Sequence, residues 1–167
     1  MAEFQQVTTG PQIAEVAELA REIWNQHYVP VIGQGQVDYM LERFQSIPAV
    51  TAQLAEEYEY YLVSDGEAVA GYLAVIARVG EGACQLSKLY LRRNARGQGL
   101  GRAMIAFAEQ RARAVGARQL WLTVNRHNAG PIAFYKAMGF ENAGPTVADI
   151  GGGYVMDDLK MVKPLET

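Results

Sequence analysis

Residues 86–102 read Leu86-Ser87-Lys88-Leu89-Tyr90-Leu91-Arg92-Arg93-Asn94-Ala95-Arg96-Gly97-Gln98-Gly99-Leu100-Gly101-Arg102, and this stretch decides the fold. It opens as a short apolar run with β-type spacing, passes through alternating glycines and continues as an amphipathic segment from Leu100 to about Val115. A second β-like run, Gln119-Leu120-Trp121-Leu122-Thr123-Val124, follows it. The pattern predicts a strand, a glycine-rich turn, a helix and a strand, which form a βαβ unit with parallel strands.

The glycine-rich turn is the part of this unit that suits a ligand. Gly97, Gly99 and Gly101 alternate just before the helix, and residues without Cβ let a ligand approach the backbone amides. The first amides of a helix have no partner within it, and the helix dipole places partial positive charge at the same end. Full positive charges are added by Arg92, Arg93, Arg96 and Arg102. We therefore predict a site for a phosphate or pyrophosphate.

Two common phosphate-binding motifs do not fit this turn. A P-loop requires Gly-Lys-Ser/Thr after its glycines, and the chain has no such tripeptide. The dinucleotide fingerprint, counted from Gly97, requires a third glycine where Arg102 stands. The spacing that fits is Arg-x-x-Gly-x-Gly, at Arg96, Gly99 and Gly101.

This spacing resembles the acetyl-CoA pyrophosphate loop of the GCN5-related N-acetyltransferases (GNAT). A second segment, from Asn128 to Phe140, resembles the Asn…Ala-x-x-Phe-Tyr-x-x-x-Gly-Phe pattern of the same family and includes Phe134 and Tyr135. The resemblance implies one N-acetyltransferase domain over residues 1–167. Its fold class is α/β (α+β), with a mixed central β-sheet and helices on both faces. Two central strands are expected to splay apart and admit the pantetheine arm.

Composition narrows the class of protein further. The chain has 167 residues, a net charge of −3 and a pI of about 5.4. It therefore has no excess of basic residues that would indicate binding to nucleic acid. Its one cysteine, Cys84, excludes an internal disulfide and is interpreted as a small buried hydrophobe. No Cys/His cluster suggests a metal, no apolar run approaches a membrane span of about 18 residues, and no signal peptide begins the sequence. We expect a cytoplasmic protein.

Periodicity predicts the order β-α-α-(α)-β-β-β-α-β-α-β-β. The strands are expected at 4–8, 59–64, 69–77, 84–91, 119–124, 140–143 and 154–162, and the first of them is expected at the edge of the sheet. The helices are expected at about 11–26, 37–44, 48–55, 100–115 and 131–138, with an irregular loop at 27–35. In the helix after the glycine loop, Glu109 is predicted to lie away from the apolar face.

The resemblance assigns the cofactor, acetyl-CoA, to residues of both motifs. Amides at Leu89, Tyr90 and Leu91 are expected to hold pantetheine and help polarise the thioester carbonyl. The pyrophosphate is expected to be bound by the loop residues Arg96, Gly97, Gln98, Gly99, Leu100, Gly101 and Arg102. Asn128 matches a position that contacts the cofactor in the family. Tyr135 is the expected general acid toward the leaving thiolate, since a phenol with a pKa of about 10 keeps its proton at neutral pH.

The base that deprotonates the amine is open. Many relatives carry a glutamate on the strand before the loop, where this chain has Gln85 and Ser87, and neither is a useful base. Ordered water, His27, Asp157 and Asp158 are alternatives, and binding of amine that is already neutral is another.

The acceptor is expected to be a small primary amine. The early helix-loop-helix region forms much of the acceptor site in the family, so His27, Tyr28, Tyr39 and Glu42 are substrate candidates, with Asp157 on the last strand. Residues 39–42 and the tail 156–163 resemble spermidine/spermine (PaiA-type) acetyltransferases, which favours a polyamine. Amino acids, aminoglycosides, protein N-termini and a non-catalytic acyl-CoA-binding or regulatory module stay open as alternatives. The resemblance also allows a homodimer.

Overall fold

The computed structural model describes residues 2–66, 68–78, 80 and 82–166. Its strands are β1 (Ala2–Gln6), β2 (Tyr58–Asp65), β3 (Ala68–Ile76), β4 (Ala83–Leu91), β5 (Gln119–Asn125), β6 (Glu141–Gly151) and β7 (Tyr154–Pro164). Its helices are α1 (Gly10–His27), α2 (Val29–Ile32), α3 (Gln34–Phe44), α4 (Ile47–Ala55), α5 (Leu100–Ala114) and α6 (Ala129–Ala137), with a 3₁₀ turn at Arg93–Ala95.

The seven strands form one mixed sheet in the order β1-β2-β3-β4-β5-β7-β6, which confirms the predicted fold class. The pairs β1–β2, β2–β3, β5–β7 and β6–β7 are antiparallel, and β4–β5 is parallel as the βαβ pattern predicts. Strand β1 lies at an edge, as expected. The backbone divides into two compact units, the first comprising Met1–Ile76 and Lys88–Met104 and the second Ala77–Ser87 and Ile105–Thr167.

Parallel pairing between β4 and β5 is short. The register runs from Ala83–Gln119 to Gln85–Trp121, although β4 continues to Leu91 and β5 to Asn125. The expected splaying of the two central strands stays a prediction.

Local sequence signals explain how α1 begins. Thr9 is its N-cap and accepts from the Gln12 amide at 3.4 Å, while the Gln12 side chain accepts from the Thr9 amide at 3.0 Å. This reciprocal capping box satisfies two amides that the helix itself cannot, and Pro11 suits the first turn because it has no amide to satisfy. The buried stripe from Ile13 to Trp24 then faces the core of the first unit.

Three elements differ from the predicted boundaries by more than two residues. The segment expected to be irregular contains the one-turn helix α2, and α3 begins at Gln34 rather than near Val37. Strand β6 continues to Gly151 instead of ending near Ala143, because antiparallel pairing with β7 extends to the Gly151–Tyr154 pair. The three glycines 151–153, which have positive φ, form the turn between these strands. The apolar alternation beyond Ala143 is weak, so the sequence did not predict a strand there. Pairing with β7 makes these residues part of β6.

Glu109 is the one residue of α5 whose predicted environment was wrong. Its side chain is buried, because Lys163 of β7 donates to its carboxylate at 2.8 Å and Arg113 lies at 4.0 Å. A buried carboxylate is tolerated when it is paired in this way.

Gly71 of β3 allows β4 to approach closely. A Cβ at this position would lie 2.1 Å from the carbonyl oxygen of Tyr90 and 3.0 Å from the Cα of Leu91. The neighbouring amide of Arg92 donates to the carbonyl oxygen of Ala70 at 2.8 Å, so the contact lies in an ordered ladder. Because the opposing atoms are backbone, no side-chain rotation can relieve the overlap.

We predict that Gly71→Ala lowers the free energy of unfolding by about 3 kcal/mol or more, since β4 must move away from β3. Urea unfolding followed by circular dichroism measures this. Gly10→Ala is the matched control, because nothing lies within 4 Å of its Cβ position, and its effect should stay within about 0.5 kcal/mol. Equal stability of the two variants would contradict the close approach.

Candidate functional site

The glycine loop lies between the 3₁₀ turn and α5, and its backbone is the part best suited to an anion. Gly97 and Gly99 have φ values of +78° and +83°, which residues with a Cβ atom rarely adopt. The first backbone bond of α5 runs from the Ala103 amide to the Gly99 carbonyl at 3.1 Å. The amides of residues 100–102 therefore precede the helical ladder and have no carbonyl of their own helix to donate to. Residues 96–99 are all exposed.

The four arginines around this loop have two different roles. Arg92 forms an ion pair with Glu22 at 3.3 Å, and Arg93 donates to the carbonyl oxygen of Gln26 at 3.2 Å. These two contacts attach the end of β4 to α1. Arg96 and Arg102 are exposed, and the Arg96 guanidinium lies 3.5 Å from the Leu91 carbonyl oxygen. The charge available to a ligand therefore comes mainly from Arg96 and Arg102.

An aromatic cluster lies against the end of β4. The ring of Tyr90 is 5.6 Å from that of Trp24, 6.3 Å from that of Tyr28 and 5.4 Å from that of Tyr72. His27 meets Tyr28 edge-on at 4.7 Å. The structure thus brings the predicted substrate candidates His27 and Tyr28 together with the predicted cofactor residue Tyr90.

A cleft of about 500 Å³ opens between α1, α3 and the start of α4 in the first unit. Its charged residues are Arg21, Asp38 and Glu42. Its other lining residues are Ala17, Asn25, Leu41, Gln45, Ser46, Ile47 and Pro48. Two carboxylates and one guanidinium make the cleft more acidic than basic, and this suits a ligand with positive charge.

The remaining substrate candidates are in different surroundings. Glu42 lines this cleft, whereas Tyr39, on the same helix, accepts from Arg43 at 3.3 Å. Asp157 belongs to the second unit and forms an ion pair with Arg126 at 2.9 Å. The prediction that these side chains bind substrate stays a prediction.

A buried polar cluster lies beneath the joint between α3 and α4. The Lys88 ammonium donates to the Phe44 carbonyl oxygen at 2.6 Å, to Gln53 Oε1 at 2.9 Å and to the Tyr60 hydroxyl. Lys88 is 6% exposed, and burial lowers its pKa to about 7. Burial, followed by neighbouring Tyr58, raises the pKa of Tyr60, so the phenol stays protonated.

Asn128 and Tyr135 belong to the second unit. Asn128 is buried at the N-cap of α6, and its amide donates to the Asn125 carbonyl oxygen at 3.0 Å. The ring of Tyr135 packs against Phe134 and Phe140, with centroids 5.4 and 5.7 Å apart. These contacts hold the Tyr135 side chain in place, and only 8% of the residue is exposed.

Asp158 is a second buried ionisable group. It is 6% exposed, and burial raises the pKa of its carboxyl to about 6, while a hydrogen bond with Thr123 lowers it and the charge of Asp157 raises it. The carboxyl group of Asp158 can therefore exchange a proton near neutral pH.

A family model described as the acetyltransferase (GNAT) family matches residues 16–140, which is most of the chain. The chain belongs to the GNAT acetyltransferase family. The match includes both sequence motifs, and it confirms the family assigned from them. A relative from Lactobacillus delbrueckii subsp. lactis, the uncharacterized N-acetyltransferase in the pepI 3′ region, is 34% identical over 106 residues. That alignment spans 60% of this chain and 61% of the relative, so about two fifths of the relative is unmatched.

Solved GNAT structures share the fold over nearly the whole chain. The PaiA N-acetyltransferase of Thermoplasma acidophilum, solved in complex with coenzyme A, is 20% identical with a TM-score of 0.77 and covers 98% of this chain and 99% of its own. A GCN5-related N-acetyltransferase from Rhodopseudomonas palustris is 16% identical with a TM-score of 0.81, covering 99% of this chain and 96% of its own. At these identities the likeness establishes the fold.

Within residues 2–66, 68–78, 80 and 82–166, no group of three or more His, Cys, Asp or Glu side chains is placed to hold a metal ion. In the same residues no helix combines the length and apolarity needed to cross a membrane.

Sequence reasoning missed the cluster around Lys88 and the role of Gln45 in the cleft. One signal was present, because a lysine interrupts the apolar alternation of β4 between Leu86 and Tyr90. Its partners are 28, 35 and 44 residues away in the chain, and periodicity carries no information about them.

We predict a pH-dependent stability that Asp158→Asn removes. An acid whose pKa is raised on folding stabilises the fold below its unfolded pKa of about 4, and this contribution is lost as the pH rises through about 6. Between these values the unfolding free energy of the wild type should fall relative to the variant, by on the order of 2 kcal/mol. Urea unfolding across this range measures it, and parallel curves for the two proteins would contradict the prediction.

Proposed function

We propose that residues 1–167 form one acetyltransferase domain that transfers the acetyl group of acetyl-CoA to a primary amine of a small molecule. The observation that carries this proposal is the exposed glycine loop at the start of α5, within a chain of the GNAT family. The cytoplasmic location and the homodimer stay predictions.

Acetyl-CoA supplies an activated acetyl thioester and a diphosphate. The exposed amides of the loop, the N-terminus of α5 and the charges of Arg96 and Arg102 fit a diphosphate. Leu89, Tyr90 and Leu91 would hold the pantetheine, since they form the last residues of β4 before this loop. Asn128 is assigned a cofactor contact by its motif.

Tyr135 is proposed as the general acid that protonates the leaving thiolate. A thiol has a pKa of about 8.5 and a phenol one of about 10, so proton transfer from tyrosine is close to balanced. The packing of its ring between Phe134 and Phe140 supports this role, because a catalytic group must be held in one orientation.

The proton acceptor for the amine is proposed to be Asp158 rather than Asp157. The carboxylate of Asp157 is already engaged in an ion pair with Arg126. The pKa of Asp158 is raised to about 6, closer to the pH at which the enzyme would work. Gln85 and Ser87 offer no competing base on β4.

A polyamine is the proposed acceptor class. Asp38 and Glu42 give the cleft of the first unit two carboxylates, which suit a molecule with several ammonium groups. The fold likeness to a PaiA N-acetyltransferase agrees with the sequence resemblance of residues 39–42 and 156–163, though it says nothing about substrate. Arg21 lines the same cleft, and its charge would favour an amine that also carries an acidic group.

We predict thiol release from acetyl-CoA in the presence of spermidine or spermine, with Tyr135→Phe lowering kcat by about 10²-fold. A thiol-reactive dye measures release, and a panel of diamines, amino acids and an aminoglycoside compares acceptors. Phe134→Leu is a matched control, because it changes ring packing and leaves the phenol. An unchanged kcat in Tyr135→Phe would remove tyrosine from the acid role.

The panel also separates the proposed enzyme from its alternatives. Turnover with another amine would keep the acetyltransferase and discard the polyamine. Binding of acetyl-CoA without thiol release for any amine would contradict the enzyme and favour an acyl-CoA-binding module.

We predict that Gly99→Ala weakens acetyl-CoA binding by about tenfold or more, since a Cβ at φ +83° distorts the loop that would hold the diphosphate. Calorimetric titration measures the Kd. Gly66→Ala is the control, because it imposes the same type of strain at φ +71° in the turn after β2. If both variants bind acetyl-CoA as the wild type does, the loop is not the cofactor site.

A further inference from the structure

The ammonium of Lys88 joins three separate elements of the first unit. Its partners are the Phe44 carbonyl oxygen at the end of α3, the Gln53 side chain of α4 and the Tyr60 hydroxyl of β2. Lys88 itself belongs to β4. An ammonium has three donors, and each of these is matched to one acceptor.

The bond to Phe44 uses a group that α3 cannot satisfy by itself. The last carbonyls of a helix lack partners within it and carry the negative end of the helix dipole, which favours a cation there. Gln53 completes the arrangement, because its amide nitrogen donates to the same Phe44 oxygen at 3.0 Å while its oxygen accepts from Lys88 and Tyr60. Every polar atom of Gln53 in this cluster is therefore used.

Gln45, the residue after Phe44, is also held by a buried hydrogen bond. Gln45 is 3% exposed, and its Oε1 accepts from the Tyr72 hydroxyl at 2.9 Å. Gln45 and Ser46 also line the cleft that contains Asp38 and Glu42. The buried cluster therefore contacts Phe44, and the next two residues of the chain, Gln45 and Ser46, line the cleft.

Lys88 also lies immediately before the segment 89–91 that would hold the pantetheine. A change in its bonds would therefore alter the joint of α3 and α4 relative to that segment within the same unit. A buried lysine costs more free energy than an apolar side chain of similar size, so packing alone does not account for it.

We propose that Lys88 is a positioning residue for the amine acceptor: through Phe44 it holds the wall of the cleft at Gln45 and Ser46 at a fixed distance from the acyl-binding end of β4. This inference rests on the proposed acetyltransferase function. Lys88 acts through Phe44 and Gln45 and needs no contact with the substrate.

The test is the substitution Lys88→Met, which keeps the length of the side chain and removes the ammonium. We expect KM for the amine to rise about fivefold or more, with kcat within threefold and the Kd of acetyl-CoA within twofold of the wild type. Tyr72→Phe is a milder second variant, because it removes only the hydroxyl that donates to Gln45, and it should raise KM in the same direction. Tyr72→Phe remains informative if Lys88→Met folds poorly.

Val63→Ala is the control for a purely structural effect. Val63 is fully buried on β2, and its loss should lower the midpoint of urea unfolding without changing KM for the amine. If Lys88→Met and Tyr72→Phe leave KM at the value of Val63→Ala, or weaken acetyl-CoA binding instead, the proposal is overturned.

Hydrogen–deuterium exchange separates this proposal from the proposed function. If the wild type releases no thiol with any of the amines tested, the proposed acetyltransferase function fails, and the proposed role of Lys88 toward the acceptor fails with it. Faster exchange over residues 42–50 in Lys88→Met, and not in Val63→Ala, would then still show that Lys88 holds the joint. Equal exchange in the two variants would overturn that as well.

Discussion

The close contact between Gly71 of β3 and the Tyr90 carbonyl of β4 is the constraint on which the site of the first unit depends. At 2.1 Å from a Cβ position, the oxygen leaves room only for hydrogen. The contact lies at the last residues of β4. One residue further along, the Arg92 amide donates to the Ala70 carbonyl oxygen, so the pairing with β3 continues. In the chain, the 3₁₀ turn, the glycine loop and the first turn of α5 come directly after this contact.

Charge around this end of β4 is divided between structure and ligand. Arg92 and Arg93 are engaged by Glu22 and by the Gln26 carbonyl, so they attach α1 to the strand. Arg96 and Arg102 are exposed beside amides that precede the helical ladder. The four arginines of this segment therefore have different surroundings, because two of them contact α1 and two are exposed beside the loop.

The sites proposed for the cofactor and for the acceptor are built from different kinds of structure. A diphosphate can be held by backbone amides and a helix terminus, which a short run of glycines specifies locally. An amine requires carboxylates at defined positions, and the cleft takes its lining residues from α1, α3 and α4. Family membership therefore indicates the cofactor more directly than the acceptor, and the cleft proposed for the acceptor is bordered by residues that Lys88 and Tyr72 bind.

The sequence by itself determined the order of the main elements, the parallel βαβ unit, the glycine loop and the family, because periodicity, glycine spacing and capping act over a few residues. It did not determine the length of β6, the burial of Glu109 or the one-turn helix α2. The first two depend on partners in β7, and no periodic signal specifies a single helical turn. The cluster of Lys88, Gln53 and Tyr60 and the cleft beside Gln45 were decided only by tertiary structure. Their members are far apart in the chain, and burial selects bonds between them that no local pattern records.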